Sequence, residues 1–133
     1  MSKETILILN KERRDSSHLK TFLEKEKYIV LPVNTLNRLL TNFQEFEVSG
    51  VIVDLNGDRL SLFEIIKRIR ERMPELYVMM MVDGKIGEKE HQKVIETGVH
   101  DFFVKPMSYE KILFHLKSGL KQRKKYLQKR AES

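Results

Sequence analysis

The run from Val51 to Asp58, Val-Ile-Val-Asp-Leu-Asn-Gly-Asp, constrains the fold of this chain more than any other stretch. An apolar, β-branched run that follows Ser49-Gly50 and ends in Asn56-Gly57-Asp58 is typical of a fully buried strand in a parallel sheet. Such a strand carries Asp54 to its carboxyl end, the edge at which open α/β sheets bind ligands. Because Asp is also common where a chain turns after a strand, Asp54 alone leaves both roles open.

Four other short apolar runs predict the remaining strands. They are Thr5 to Leu9, Tyr28 to Leu31 with Pro32 as its stop, Val78 to Val82 with three core methionines, and Asp101 to Val104. A segment with helical periodicity follows each strand. This regular alternation predicts one α/β domain with a five-stranded parallel sheet and helices on both faces.

The helical segments carry recognisable boundary residues. Asp15-Ser16-Ser17, Thr35 and Ser108 are predicted to cap the first, second and last helices. The fourth helix is predicted from Lys85 to Thr97, with few apolar anchors and with Gly98 as its C-cap. The apolar face of the third helix consists of Leu60, Phe63, Ile66, Ile69 and Met73.

Composition and charge narrow the class of protein. A chain of 133 residues without cysteine or a signal-peptide pattern is expected to be a cytoplasmic domain without disulfides. Its longest apolar run, Leu76 to Val82, is too short to span a membrane. Residues 1–116 contain 18 basic and 18 acidic residues, whereas residues 117–133 contain seven basic and one acidic. The net charge of +6 therefore belongs to the C-terminal helix.

Two common kinds of site find no support in the sequence. Neither G-x-G-x-x-G nor G-x-x-x-x-G-K-[ST] occurs, which argues against a nucleotide-binding loop. The four histidines, His18, His91, His100 and His115, lack the spacing of metal ligands and are expected to be solvated or capping residues.

The carboxyl ends of four strands bring polar residues to one edge of the predicted sheet. These residues are Asn10-Lys11, Asp54, Asp83-Gly84 and Lys105-Pro106. Residues 4 to about 120 resemble the response-regulator receiver domain. The resemblance lies in the order of these strand-end residues and in the segment Glu-Thr-Gly-Val-His-Asp-Phe-Phe-Val-Lys-Pro at 96–106. The resemblance implies a flavodoxin-like (βα)5 fold with an extended C-terminal helix, and a cis peptide between Lys105 and Pro106.

The resemblance also implies roles that this chain matches only in part. In the family a histidine kinase phosphorylates the central Asp, an acidic pair binds Mg²⁺, and a Thr or Ser hydroxyl and a Lys contact the phosphoryl group. Asp54 and Lys105 match, but Asn10 and Lys11 replace the acidic pair and Asp83 replaces the hydroxyl. Lys11 would repel Mg²⁺, and Asp83 would repel a phosphoryl group. We therefore expect a degenerate, pseudo-receiver type of signalling module without a metal cofactor, which is not an enzyme and acts through protein contacts.

The charges at this edge allow two interpretations. Asp54 and Asp83 balance Lys11 and Lys105, so Lys11 could take the place of the metal and hold one conformation. Alternatively, Lys11 points into solvent and the site has no special state. A conventional Mg²⁺-dependent receiver that is phosphorylated on Asp54 stays open if Glu12, together with Asp54, binds the metal.

The family resemblance implies a partner surface on the fourth helix, fifth strand and fifth helix, with His91, Phe102, Tyr109 and Leu113. The implied partners are a histidine kinase, an output domain or a second copy. We expect a receiver-like domain over residues 1–120 and a basic helical extension or linker over 121–133. Because Tyr126 is the only aromatic residue between the charges, a linker or dimer helix is favoured over nucleic-acid binding through this extension.

Overall fold

The computed structural model describes residues 3–11, 13–55, 62–84 and 86–132, which form a five-stranded parallel sheet with the strand order β2-β1-β3-β4-β5. The strands are β1 (Thr5–Leu9), β2 (Ile29–Val33), β3 (Gly50–Leu55), β4 (Tyr77–Val82) and β5 (Asp101–Val104). The helices are α1 (Arg13–Lys25), α2 (Leu36–Glu45), α3 (Leu62–Arg72), α4 (Glu88–Glu96) and α5 (Tyr109–Glu132). The predicted fold class and the long C-terminal helix are confirmed.

Alternate residues of the inner strands point to opposite faces, and each face has its own apolar core. Val51, Val53 and Met80 pack on the side of α2, α3 and α4, whereas Ile52 and Met79 pack on the side of α1 and α5. Every residue of β3 and β4 is buried, as expected for a parallel sheet that is covered on both faces. The methionines of β4 are core residues, as predicted.

Two predicted helix starts are wrong. Helix α1 begins at Arg13, so Asp15-Ser16-Ser17 lie inside its first turns. Short polar residues are common both at caps and in first turns, and the sequence does not separate these positions. Helix α4 begins at Glu88, after Gly87, rather than at Lys85. Lys85 lies outside the described residues, as does Leu60 of the third predicted helix.

Pro32 does not stop the second strand, which continues to Val33. Because β2 is an edge strand, a residue without an N–H can be accommodated there without losing a bond of the ladder. The predicted caps at Thr35 and Ser108 are present, since their hydroxyl oxygens accept hydrogen bonds from the amides of Arg38 and Lys111, each at 3.1 Å. No helix within the described ranges is long and apolar enough to cross a membrane.

Arg70, at the end of α3, ties together the chain segments at the amino ends of β4 and β5. Its guanidinium donates to the carbonyl oxygen of Leu76 at 2.6 Å and to that of Gly98 through Nε at 2.8 Å. We expect Arg70→Lys to lower the free energy of unfolding by about 1 to 2 kcal/mol, since an ammonium cannot serve both carbonyls in a fork. Urea denaturation should show this loss, and exposed Arg72→Lys should change stability little. Equal effects of the two substitutions would contradict the role of Arg70.

The surroundings of His100 favour its neutral form. The backbone amide of Val78 donates to its Nδ1, and an N–H of Arg70 points at the same nitrogen, each at 3.1 Å. Burial, followed by the charge of Arg70, lowers the pKa of His100. Protons therefore bind more readily to His100 in the unfolded chain, and stability should fall as the pH drops below about 6.5 toward the folded-state pKa.

Urea denaturation at pH 7.5 and at pH 5.5 checks this expectation. The wild-type protein should lose stability between the two pH values, and His100→Gln should lose less, because glutamine does not titrate. If both proteins showed the same pH dependence, His100 would not be the titrating group.

Candidate functional site

The polar residues predicted at the strand ends lie at one edge of the sheet. Asp54 is the penultimate residue of β3, in register with Met81 of β4. Asn10 follows β1, Asp83 follows β4 and Lys105 follows β5. Because β1, β3, β4 and β5 run parallel, their carboxyl ends share this edge. The topology thus accounts for the gathering of residues that are far apart in sequence.

Both carboxylate oxygens of Asp54 have hydrogen-bond partners. The Nζ of Lys105 donates to Oδ1 at 2.5 Å, and the Nδ2 of Asn10 donates to Oδ2 at 3.0 Å. Asp54 is 6% exposed and Asn10 is 2% exposed. A carboxylate this deeply buried requires such partners, since removal from water without them is costly. The chain itself therefore supplies a donor to each oxygen of Asp54.

A shallow pocket of about 490 Å³ opens beside Asp54. Its charged lining comes from Asp54, Asp83 and Lys105, and the rest of its lining from Leu19, Met81, Pro106, Met107, Tyr109 and Ile112. The Lys105-Pro106 peptide bond is cis, as the family resemblance implied. Gly84, after β4, adopts a positive φ of 68° and lies at the exposed rim of this edge.

The donors that the structure shows on Asp54 come from Asn10 and Lys105. The role of Lys11 in place of the metal stays a prediction. Lys11 is exposed, and Glu12 lies outside the described residues. Sequence reasoning took Asn10 only as a lining residue. The alternation of an extended chain could have shown that neighbours such as Asn10 and Lys11 point to opposite sides.

The donor set at Asp54 does not fit Mg²⁺. This ion prefers oxygen ligands and usually binds one or two carboxylates. Asn10 turns its NH₂ group toward Asp54, since its amide oxygen would face a carboxylate oxygen, and Lys105 places an ammonium on the other oxygen. Within the described residues, no group of three or more His, Asp or Glu residues is arranged to hold a metal ion.

The four residues of the implied partner surface form two groups. The rings of His91 and Phe102 lie 5.1 Å apart at the α4 side. Tyr109 lies at the α1 side, with its ring 5.4 Å from that of Phe22, and it also lines the Asp54 pocket. Leu113 packs against the same core as Tyr109. These contacts show where the four residues lie, and the partner surface itself stays a prediction.

Comparison with known proteins agrees with this geometry. The heme response regulator HssR of Staphylococcus saprophyticus is 23% identical over 118 residues, which are 89% of this chain and 52% of that protein. The transcriptional regulatory protein ResD of Bacillus subtilis is 24% identical over 117 residues, which are 88% of this chain and 48% of that protein. The chain thus spans about half the length of these relatives.

A solved structure and a family model are also similar to this chain. A crystal structure of a CheY-like response regulator receiver domain protein from Methanospirillum hungatei superposes with a TM-score of 0.84 at 19% identity, covering 94% of this chain and 99% of that chain. The model of the response regulator receiver domain matches residues 6–117. This chain therefore belongs to the response regulator receiver domain family.

Proposed function

We propose that this receiver domain is a signalling module whose Asp54 is kept in one state by its own side chains. In this proposal the domain is not an enzyme, and it acts through protein–protein contacts without Mg²⁺-dependent phosphoryl transfer. The observation that carries the proposal is the pair of hydrogen bonds from Asn10 and Lys105, which use both oxygens of Asp54. In a phospho-accepting site one of these oxygens must attack phosphorus.

The charges around Asp54 support the same proposal. Phosphoryl transfer is catalysed largely by cations that neutralise the transferring oxygens, and Asn10 and Lys11 offer no carboxylate to hold Mg²⁺ there. Asp83 lines the pocket and adds a negative charge where the family has a hydroxyl. Two like charges 4 Å apart repel by about 4 kcal/mol at an effective dielectric constant near 20. A phosphoryl group on Asp54 would therefore be disfavoured by both replacements.

The second candidate is a conventional receiver that is phosphorylated on Asp54. It is favoured by the retained Asp54 and Lys105 contact and by the cis Lys105-Pro106 peptide. This candidate requires a metal ligand from outside the described donors, such as Glu12. The two candidates differ in whether the protein binds Mg²⁺ together with a phosphoryl analogue.

The partners belong to the proposal as well. Because the relatives are about twice as long, we propose that the domain signals to an output domain or a separate protein through α4, β5 and α5. A histidine kinase or a second copy of the domain is a further candidate for the same surface. On this surface the ring of Phe102 in β5 lies 5.1 Å from that of His91 in α4, and the ring of Phe103 in β5 lies 4.8 Å from that of His115 in α5.

Titration with Mg²⁺ and beryllofluoride, followed by amide NMR shifts near Asp54, tests the proposal. We expect no saturable shifts at millimolar Mg²⁺ in the wild-type protein, because the site has no carboxylate pair to hold the ion. The variant Asn10→Asp, Lys11→Asp, Asp83→Thr should gain saturable binding, since it supplies the missing ligands and removes the opposing charge.

Two controls make the titration decisive. Adding Asp54→Asn to the triple variant should abolish the gain, which would place the new binding at this site. Thermal unfolding of each variant should confirm that it is folded. Saturable wild-type binding that disappears in Asp54→Asn would contradict the proposal and support the conventional receiver.

A further inference from the structure

Helix α5 continues as a single helix to Glu132, well past the last buried core residue, Leu120. Its distal half is attached to the segment before β4. The Nε of Arg123 donates to the carbonyl oxygen of Glu75 at 3.1 Å, and Arg130 forms an ion pair with the Glu75 side chain. The two arginines of this half are therefore turned toward the domain.

The lysines of the same segment face away from the domain. This lysine face consists of Lys117, Lys121, Lys124, Lys125 and Lys129, all of which are exposed. Helix geometry places the five within an arc of about 140° and along about 18 Å of the axis. Residues 117–131 contain no Asp or Glu. Lys117 also pairs with Glu26 of the α1 side at 3.8 Å, which leaves four lysines with their full charge directed outward.

We propose that the lysine face binds the phosphate backbone of duplex nucleic acid without reading its sequence. Residues 1–116 carry equal numbers of acidic and basic residues, so the net positive charge of the chain comes from this segment. Lysines act as point charges toward phosphates. The arginines, which would be suited to recognise base edges in a fork, are engaged with Glu75 instead. This inference does not depend on the state of Asp54.

A membrane surface fits the lysine face less well than a duplex. An amphipathic helix that lies on a membrane buries its apolar face in the lipid, but the apolar face of α5, with Ile112, Leu116 and Leu120, is buried in the domain core.

An acidic protein surface also fits less well. Protein interfaces are depleted of lysine and depend on buried aromatic or arginine anchors. Tyr126, the aromatic residue of this segment, lies with Arg123 and Arg130 on the other side of the helix, where they line one pocket. The sequence favoured a linker or dimer helix because Tyr126 is the only aromatic residue between the charges of the tail. A backbone contact does not need aromatic residues, since base stacking plays no part in it.

We expect the affinity for the duplex to depend steeply on the salt concentration. Each neutralised phosphate contributes a slope of about −0.9 to a plot of log K against log salt concentration. Four lysines give a slope of about −3.6, or a loss of affinity of about 100-fold between 50 and 200 mM NaCl. Two duplexes of unrelated sequence should bind with the same affinity to within about two-fold, because the contacts reach no base edges.

Fluorescence anisotropy of a labelled 30-base-pair duplex with the full chain, over a series of salt concentrations, tests the proposal. The double variant Lys121→Glu, Lys125→Glu should weaken binding at least 10-fold at 50 mM NaCl and should reduce the salt slope. Lys67→Glu, Lys89→Glu is the matched control, because it changes two exposed lysines of α3 and α4 by the same total charge. The control should keep most of the affinity and the full slope. Circular dichroism should show that both variants are folded.

Three results would overturn the inference. The first is the absence of duplex binding by the wild-type protein at 50 mM NaCl. The second is an equal loss of affinity in the two double variants, since net charge rather than the lysine face would then explain binding. The third is tighter binding to poly-glutamate or to vesicles that contain anionic lipid than to the duplex, which would assign the surface to an acidic protein or a membrane.

Discussion

Gly119→Ala is expected to lower the free energy of unfolding by about 3 kcal/mol, although the same change normally stabilises a helix by about 1 kcal/mol. A Cβ atom at residue 119 would lie 2.1 Å from Cε1 and 2.3 Å from Cδ1 of Tyr77. Real Cβ atoms do not approach other atoms so closely. Either α5 or the Tyr77 ring must move, and both are parts of the packed core.

The ring of Tyr77 is held in place on several sides. Its side chain is 1% exposed, and its ring lies 5.3 Å from that of His100. Its hydroxyl donates to Oδ2 of Asp101 at 2.5 Å, and His115 of α5 lies 3.4 Å from the other oxygen of that carboxylate. Burial, followed by the hydrogen bond to Asp101, raises the pKa of Tyr77, so the hydroxyl keeps the proton that it donates. Displacing the ring would disturb a contact that joins β4, β5 and α5.

Urea denaturation of Gly119→Ala beside Ser118→Ala measures this effect. Ser118 is the exposed neighbour in the same helix, so Ser118→Ala should be neutral or stabilising by about 0.5 kcal/mol. If Gly119→Ala were as stable as Ser118→Ala, this result would contradict the close approach of α5 to Tyr77. Gly119→Ala should lower the free energy of unfolding less in a Tyr77→Leu background than in the wild-type protein, because the ring that the added methyl would meet is then absent.

Gly119 also illustrates how far the sequence could predict the structure. The sequence alone shows only that Ser118-Gly119 has a low helix propensity within the last helix. The reason for the glycine is a ring 42 positions earlier in the chain, and no local pattern reports such a contact. The same limit applies to Arg123 and Arg130, which read as tail charges but contact Glu75. Periodicity predicts which face of an element is buried, but not the side chain that it meets.

The candidate site was more predictable because it follows from topology. Once the strands were identified as parallel and buried, their carboxyl ends had to place Asp54, Asp83 and Lys105 at one edge. The sequence did not identify Asn10 as a donor to Asp54, since this depends on the side to which Asn10 and Lys11 point after β1. The resemblance supplied the roles of Asp54 and Lys105, and it could not supply a role for an amide at position 10, where the family has a carboxylate.

The second large effect is that of replacing Asp54. It distinguishes a site that its own side chains hold in one state from a site with no special state. Asp54→Ala should lower the free energy of unfolding by about 2 to 3 kcal/mol. The substitution removes the carboxylate that pairs with Lys105 and leaves the buried amide of Asn10 without that acceptor. The loss is at the low end for a buried pair, because the Lys105 side chain is 23% exposed and can regain some hydration.

Whether Asp54→Ala lowers or raises the free energy of unfolding distinguishes two kinds of site. In a site with an acidic pair, removing the central carboxylate relieves repulsion between like charges and should stabilise the fold. Here the hydrogen-bond partners that the structure shows on Asp54 are an amide donor and an ammonium, so the same substitution should destabilise it. Urea denaturation of Asp54→Ala and Lys105→Met, singly and together, should give a coupling energy of at least 1 kcal/mol between the two residues. A more stable Asp54→Ala protein would mean that Asp54 sits among net repulsive charges, and the proposal that its own side chains hold the site in one state would fail.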